Sequence, residues 1–227
     1  MSTISIAIGR GGLGLHSALM QYATDYVGQV HSLSKSTDQK PKNEEGYASA
    51  FERLYFKENM KEDDHVMRPR SVVLGTMTNC LESFDRTALN RRIRNGMINE
   101  NGIRSKASEE IPPKKWEYDK DFIFQVPDAS YDIWSRGFST AAGQGDEIID
   151  VIRKCVEGTD SLNGFVSLGS LGGGTGSGMG AYVAKLISDQ YPKAAHISTA
   201  IMPFTYGENG TQSLNTILAL SHYQEYW

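Results

Sequence analysis

The chain of 227 residues has a formal net charge of −4, with 39% hydrophobic and 22% charged residues. That is the balance of an ordinary soluble domain with room for one sizeable core. A pI of about 5.8 argues against a dedicated nucleic-acid binder, which usually carries a basic face. Cys80 and Cys155 lack a CxxC spacing, so no zinc site or redox motif is readable and both are expected to be ordinary thiols. The opening MSTISIAIGRGG lacks the pattern of a secretory signal. There is no run of about 18 apolar residues, so the expectation is a soluble intracellular protein with no membrane partner.

Thr3–Ile8 alternates and is rich in β-branched residues, which predicts a strand. Gly9–Gly14 follows as a glycine turn, then Leu15–Tyr26 as a helix with Leu15, Leu19, Tyr22 and Tyr26 on one face. Residues 29–68 are polar and weakly periodic, a surface excursion with one short helix near Tyr47–Tyr55. Ser71–Leu74 predicts a second strand, Leu81–Arg94 a charged helix, Asn95–Lys115 a loop around Pro112–Pro113, and Asp121–Val126 a short strand. Asp146–Val156 is the clearest helix, with acids in its first turn, bases in its last and Gly158 as the stop. Phe165–Leu168 begins a strand, Met179–Gln190 is a helix, His196–Phe204 a strand and Asn215–Tyr226 a last helix. Strands alternating with helices predict one α/β domain, a Rossmann-like, mostly parallel sheet with helices on both faces.

Ser167–Tyr182, SLGSLGGGTGSGMGAY, joins a strand to a helix. A glycine-rich turn there lets backbone N–H groups converge on an anion, backed by the amide end of the helix. Thr175 and Ser177 add hydroxyl donors. A flexible linker or a purely structural tight turn are the competing readings. No Lys follows the glycines, so the GxxxxGK[ST] phosphate loop is excluded. Gly9, Gly11 and Gly14 fit GxGxxG, but no convincing acid follows about 20 residues on, and the larger second glycine loop is left unexplained by a dinucleotide fold.

GGGTGSG, Gly172–Gly178, resembles the signature of the tubulin/FtsZ superfamily, and Ser177 resembles the tubulin branch. PRSVVL (Pro69–Leu74), WSRG (Trp134–Gly137), DVIRKCVEGTDSLNGF (Asp150–Phe165) and NTILALSH (Asn215–His222) resemble further segments of that family. WEYDKDFIF (Trp116–Phe124), IRK (Ile152–Lys154) and YGENGTQSLNTILALSH (Tyr206–His222) are similar to its delta subfamily. The resemblance implies a GTP- or GDP-binding domain over residues 1–227. Gly173, Gly174, Thr175, Gly176 and Ser177 would hold the phosphates, with Gly9, Arg10, Gly11 and Gly12 on the other side. Glu208 lies where the family places an acid near the ribose, and Asn215 where an amide reads the guanine edge. The implied partners are other tubulins or microtubule, centriole and basal-body components, in the cytoplasm and cytoskeleton, with no nucleic acid.

The chain departs from the family at several walls of that site. Arg10 and Gly14 replace two glutamines, and Arg10 is placed to pair with phosphate or to face solvent. Gly75 and Met77 replace two acids that work near magnesium, so metal coordination is expected to be weak, with Arg10 supplying part of the missing charge. Tyr131, Asp132 and Ile133 replace an amide-rich loop before Trp134, and Gln212 is an amide in place of an acid. The family's central helix, hydrolysis-completing loop and second domain would follow Trp227. The expectation is therefore a fragment or a shortened paralogue with weak or no hydrolysis by itself; the last helix of a fragment would expose Ile217, Leu218, Leu220 and Tyr223. Two other functions stay open: a nucleotide-free tubulin-like interaction protein, and a dinucleotide-dependent oxidoreductase using Gly9–Gly14.

Overall fold

The computed structural model describes residues 2–36, 55–56, 67–75, 116–126, 132–206 and 210–226. The expected short helix near Tyr47, the charged helix Leu81–Arg94 and the loop Asn95–Lys115 lie outside these, apart from Tyr55 and nearby fragments, as do Met77, Cys80 and Glu208. Five strands, β1 (Ser2–Ile8), β2 (Ser71–Gly75), β3 (Ile123–Gln125), β4 (Leu162–Ser170) and β5 (Ala195–Ile201), form one sheet in the order β3-β2-β1-β4-β5. Every pairing is parallel. Parallel strands need crossovers, and the helices lie on both faces, as the βα alternation requires.

The two faces of β1 explain the layering. Ile4, Ile6 and Ile8 point to one side and are fully or almost fully buried, with Phe165 of β4 and Val72 and Leu74 of β2. Among the described residues, two helices make most of the cover on that side. α3 (Gly145–Glu157) contributes Ile148, Ile149, Ile152 and Cys155, and α4 (Gly180–Gln190) contributes Val183 and Ile187. Each such aliphatic side chain contributes roughly 1.5–3 kcal/mol of burial. Ser5 and Ala7 point to the other side, and their small size lets α1 (Gly9–Ser36) lie close to the sheet.

That helix differs from expectation. It begins at Gly9, directly after β1, so Gly9–Gly14 is the first turn and a half of the helix and not a separate loop. Glycine-rich sequence reads as a turn because of its poor helix propensity, but here contact outweighs propensity. A Cβ on Gly12 would overlap the Leu168 carbonyl of β4. The buried stripe is Leu13, His16, Met20, Ala23, Thr24 and Val27, while Tyr22 is 71% exposed.

α2 (Trp134–Ala142), with Trp134, Phe138 and Ala141 at helical spacing, is an addition to the sequence reading. It packs on the segment after β4, a π-helical turn Thr175–Met179 that runs into α4. α5 (Gln212–Tyr226) closes this corner, with Ala219 and Tyr223 against Leu171 and Ala184. Tyr223, expected on the exposed face, is buried, whereas Ile217 and Leu220 are 65% and 44% exposed. β5 ends at Ile201, short of the expected Phe204, which is 88% exposed. Cys155 is buried, as expected of an ordinary thiol. Among the described residues no helix is long and apolar enough to cross a membrane.

Candidate functional site

β1 has β2 on one side and β4 on the other, so the chain leaves the carboxyl ends of β1 and β4 in a shared crevice at the point where strand order reverses. Open parallel sheets bind ligands at such a point. A cleft of about 340 Å³ sits there, lined by Ile8, Gly9, Arg10, Gly11, Asp132, Ser170 and Gly173 to Gly176. Two helical runs begin at it, α1 at Gly9 and the run into α4 at Gly174. Each presents its amide end, and the two dipoles together favour an anion. Arg10, an exposed residue, and Asp132 line the same cleft with opposite charges.

The glycines divide by what surrounds them. Gly9 has φ +66, the left-handed region that turns β1 into α1, and lies against Thr175 and Gly176. A Cβ at Gly173 would meet nothing nearer than the Asp132 Oδ1 at 3.6 Å, so Gly173 leaves open space at the cleft. Gly174, Gly176 and Gly178 are different. A Cβ at Gly174 would run into the Ile133 backbone at 2.5–2.9 Å. At Gly176 it would overlap the Ser170 carbonyl, and at Gly178 the Trp134 carbonyl. Much of the close approach that the glycine run permits is thus made by the protein's own chain.

Of the expected phosphate-side residues, the cleft gathers Gly9, Arg10, Gly11, Gly173, Gly174, Thr175 and Gly176. Gly12 and Ser177 are not among them. Gly12 faces β4, and Ser177 is fully buried with its hydroxyl donating to the Gly173 carbonyl at 2.6 Å. That hydroxyl caps the turn from inside and is not offered as a ligand donor. Gly75 ends β2 with open space around its Cβ position. Ser170 and Asp132 line the cleft although the sequence gives Ser170 no motif and Asp132 only a departure. Asp132 is the one non-glycine among the described residues with positive φ, +55.

Asn215 is placed differently from the expected base-reading position. It is 2% exposed. Its Oδ1 accepts the Trp134 N–H at 2.9 Å, and its Nδ2 donates to the Asp132 carbonyl at 2.8 Å and the Gly172 carbonyl at 2.9 Å. The reverse orientation of the amide would face oxygen with oxygen twice, so the network fixes it. Both donors of this amide and its acceptor are thus engaged by backbone groups.

One buried titratable group lies beneath α1. His16 bridges the Ser5 hydroxyl and the Tyr118 hydroxyl, each at 2.7 Å, and burial lowers its pKa to about 4. It is neutral near pH 7 and takes no part in the cleft's lining. Among the described residues no group of three or more His, Cys, Asp or Glu side chains is placed to hold a metal ion.

The Tubulin/FtsZ family, GTPase domain, matches residues 2–227. The tubulin delta chain of Macaca fascicularis is 38% identical over 121 residues, covering 53% of this chain and 27% of that protein. The human tubulin delta chain is 37% identical over 123 residues, covering 54% and 26%. The tubulin gamma chain of Saccharomyces cerevisiae is 38% identical over 87 residues, covering 38% and 18%. The matched region spans about a quarter of the length of these delta chains. The resemblance to the delta subfamily agrees with these relatives.

Proposed function

The chain belongs to the Tubulin/FtsZ family, and from that premise we propose that the cleft between β1 and β4 holds the phosphates of GTP or GDP. The observation that carries the reading is the convergence of two helix amide ends on one glycine-lined cleft. Gly9, Gly11, Gly173, Gly174 and Gly176 would offer backbone N–H groups, Thr175 a hydroxyl, and Arg10 a charge-assisted contact. Gly12 and Ser177 shape the cleft from behind. Glu208 is retained as the candidate ribose contact.

A nucleotide-borne magnesium ion would find one carboxylate at the cleft, Asp132. One or two carboxylates together with phosphates are an ordinary magnesium set. With Gly75 and Met77 in place of acids, and no second carboxylate lining the cleft among the described residues, we infer that this chain by itself binds nucleotide and hydrolyses it slowly or not at all. Residues 1–227 are read as the nucleotide-binding domain. The delta and gamma relatives support a role among tubulins, and we propose with it a place in microtubule, centriole or basal-body structure and hence in the cytoskeleton.

Calorimetric titration with GTP and GDP, with and without magnesium, tests the reading. Binding in both conditions, weakened by Arg10→Ala, supports it. Strict dependence on magnesium contradicts the compensating role of Arg10. The second reading, a nucleotide-free interaction protein, draws on the apolar exposure of Ile197, Phe204, Tyr206 and Ile217, at 62%, 88%, 96% and 65%. Absence of binding by either nucleotide favours it.

A further inference from the structure

We propose that Asn215 is a positioning residue that holds the walls of the phosphate cleft in register, a role that rests on the nucleotide reading above. Three backbone segments meet at its side chain. Gly172 directly precedes the cleft residues Gly173 to Gly176. Asp132 is itself a lining residue. Trp134 opens α2, whose N-cap residue Ile133 makes no side-chain capping bond. Asn215 therefore supplies from α5 the acceptor that the start of α2 lacks locally.

The same site explains how Asp132 keeps its unusual backbone. Its carbonyl accepts two side-chain donors, Asn215 Nδ2 from the first turn of α5 at 2.8 Å and Oγ1 of Thr211, the residue before that helix, at 3.0 Å. Left-handed conformation is uncommon outside glycine, though Asp tolerates it better than most residues. Two donors on one carbonyl hold that conformation and with it the direction in which residue 132 borders the cleft. Thr216, one residue on, donates its hydroxyl to the Gln212 carbonyl of its own helix at 2.8 Å, with the Leu171 carbonyl 3.4 Å away. The start of α5 thus grips both the loop after β4 and the loop before α2.

Only a side chain with one acceptor and two donors at this length satisfies all three contacts. The change Asn215→Asp would keep the acceptor for Trp134 but face two carbonyls with a carboxylate. Alanine would leave all three backbone groups without this partner. Neither change removes a group from the cleft lining, because Asn215 itself does not line it.

The test uses the whole chain, with GTP as the probe. Asn215→Asp and Asn215→Ala are compared with Thr211→Val, an exposed position whose replacement removes one donor from Asp132, and with Ile152→Val, a core change on α3 away from the cleft. Urea unfolding establishes which variants are folded. Hydrogen–deuterium exchange reads residues 132–134 and 172–177 separately from β1 and β4. The expected result is faster exchange confined to those two loops in the Asn215 variants. GTP affinity should fall by about tenfold or more in them, less in Thr211→Val, and not at all in Ile152→Val. A folded Asn215→Ala with wild-type affinity and unchanged loop exchange overturns the proposal. If the wild type binds no GTP, the nucleotide reading fails, and loop exchange alone then decides whether Asn215 orders these segments.

Discussion

Gly137 of α2 lies against the Gly174 carbonyl so closely that no Cβ fits between them. Gly178 lies in the same way beneath the Trp134 carbonyl. The two contacts seat α2 on the segment that follows β4 and fix where Gly173 and Gly174 stand at the cleft. Backbone-on-backbone packing of this kind tolerates only glycine.

This gives a division of labour that substitutions can resolve. Gly137→Ala and Gly178→Ala force backbone apart and should cost about 1–3 kcal/mol or more. Gly173→Ala meets only ordinary contact, with Asp132 Oδ1 at 3.6 Å, so it should change stability by less than about 0.5 kcal/mol. It nevertheless places a methyl group in the cradle and should weaken GTP binding. Chemical denaturation of the three variants beside GTP titration of Gly173→Ala checks both halves. Loss of stability in Gly173→Ala would show that its position is a packing one after all.

Arg10 and Asp132 border the same cleft with opposite charges. Arg10→Ala should weaken GTP and GDP binding, by about 1.5–3 kcal/mol if the contact is a charge-assisted bond. Asp132→Asn should have the opposite sign when magnesium is absent, because it removes a negative charge facing the phosphates. With magnesium present the gain should shrink or reverse, since the carboxylate is then a candidate ligand. Isothermal titration in EDTA and in magnesium separates the two cases.

The buried His16 gives stability a pH dependence on the acid side. Burial holds its folded pKa near 4, against 6.5 for an exposed imidazole. Between those values the unfolded chain takes up a proton that the folded chain refuses, so stability is fully present above pH 6.5 and declines as pH falls toward 4. At about 1.4 kcal/mol for each pH unit across that window, the loss approaches about 3 kcal/mol. His196, also lowered to about 4 by burial, acts in the same direction. Urea midpoints at pH 7.5, 6 and 5 should fall in order. His16→Gln should be less stable at pH 7.5 and show a shallower decline.

The outward side of α5 carries Leu214, Ile217 and Leu220, which are 58%, 65% and 44% exposed. Ile217→Ser should therefore change the stability of this chain by less than about 0.5 kcal/mol. Tyr223→Ala on the inward side should cost several times more, since its ring fills the space beside Gly180, Leu171 and Ala184. Thermal unfolding of the two variants side by side checks this. An equal loss in both would mean that the outer face is packed.

The strand faces and α3 were legible in the sequence because alternation of isoleucine in β1 and the helical spacing of Ile148, Ile152 and Cys155 report burial directly. The glycine runs were legible as a site but not in detail. Propensity marks Gly9–Gly14 as a turn, whereas its contact with β4 makes it helix. The role of Asn215 depends on Trp134, 81 residues away, and no local pattern encodes such a pairing. Ser177 looks like a ligand donor in any glycine-rich phosphate loop, and only the fold reveals that its hydroxyl turns inward onto Gly173. Ser170 enters the cleft through the register of β4 alone.

Thermal unfolding of the chain with added ligand decides whether the cleft takes the phosphates of a guanine nucleotide. GTP and GDP at about 100 times their dissociation constants should stabilise the wild type by about 2.7 kcal/mol, and guanosine, which lacks phosphates, should stabilise it far less. Gly173→Ala should lose most of the GTP effect while keeping its own unfolding temperature. Stabilisation by NADH alone, equal stabilisation by guanosine and GTP, or none by any nucleotide would show that the cleft is not a guanine-nucleotide phosphate site.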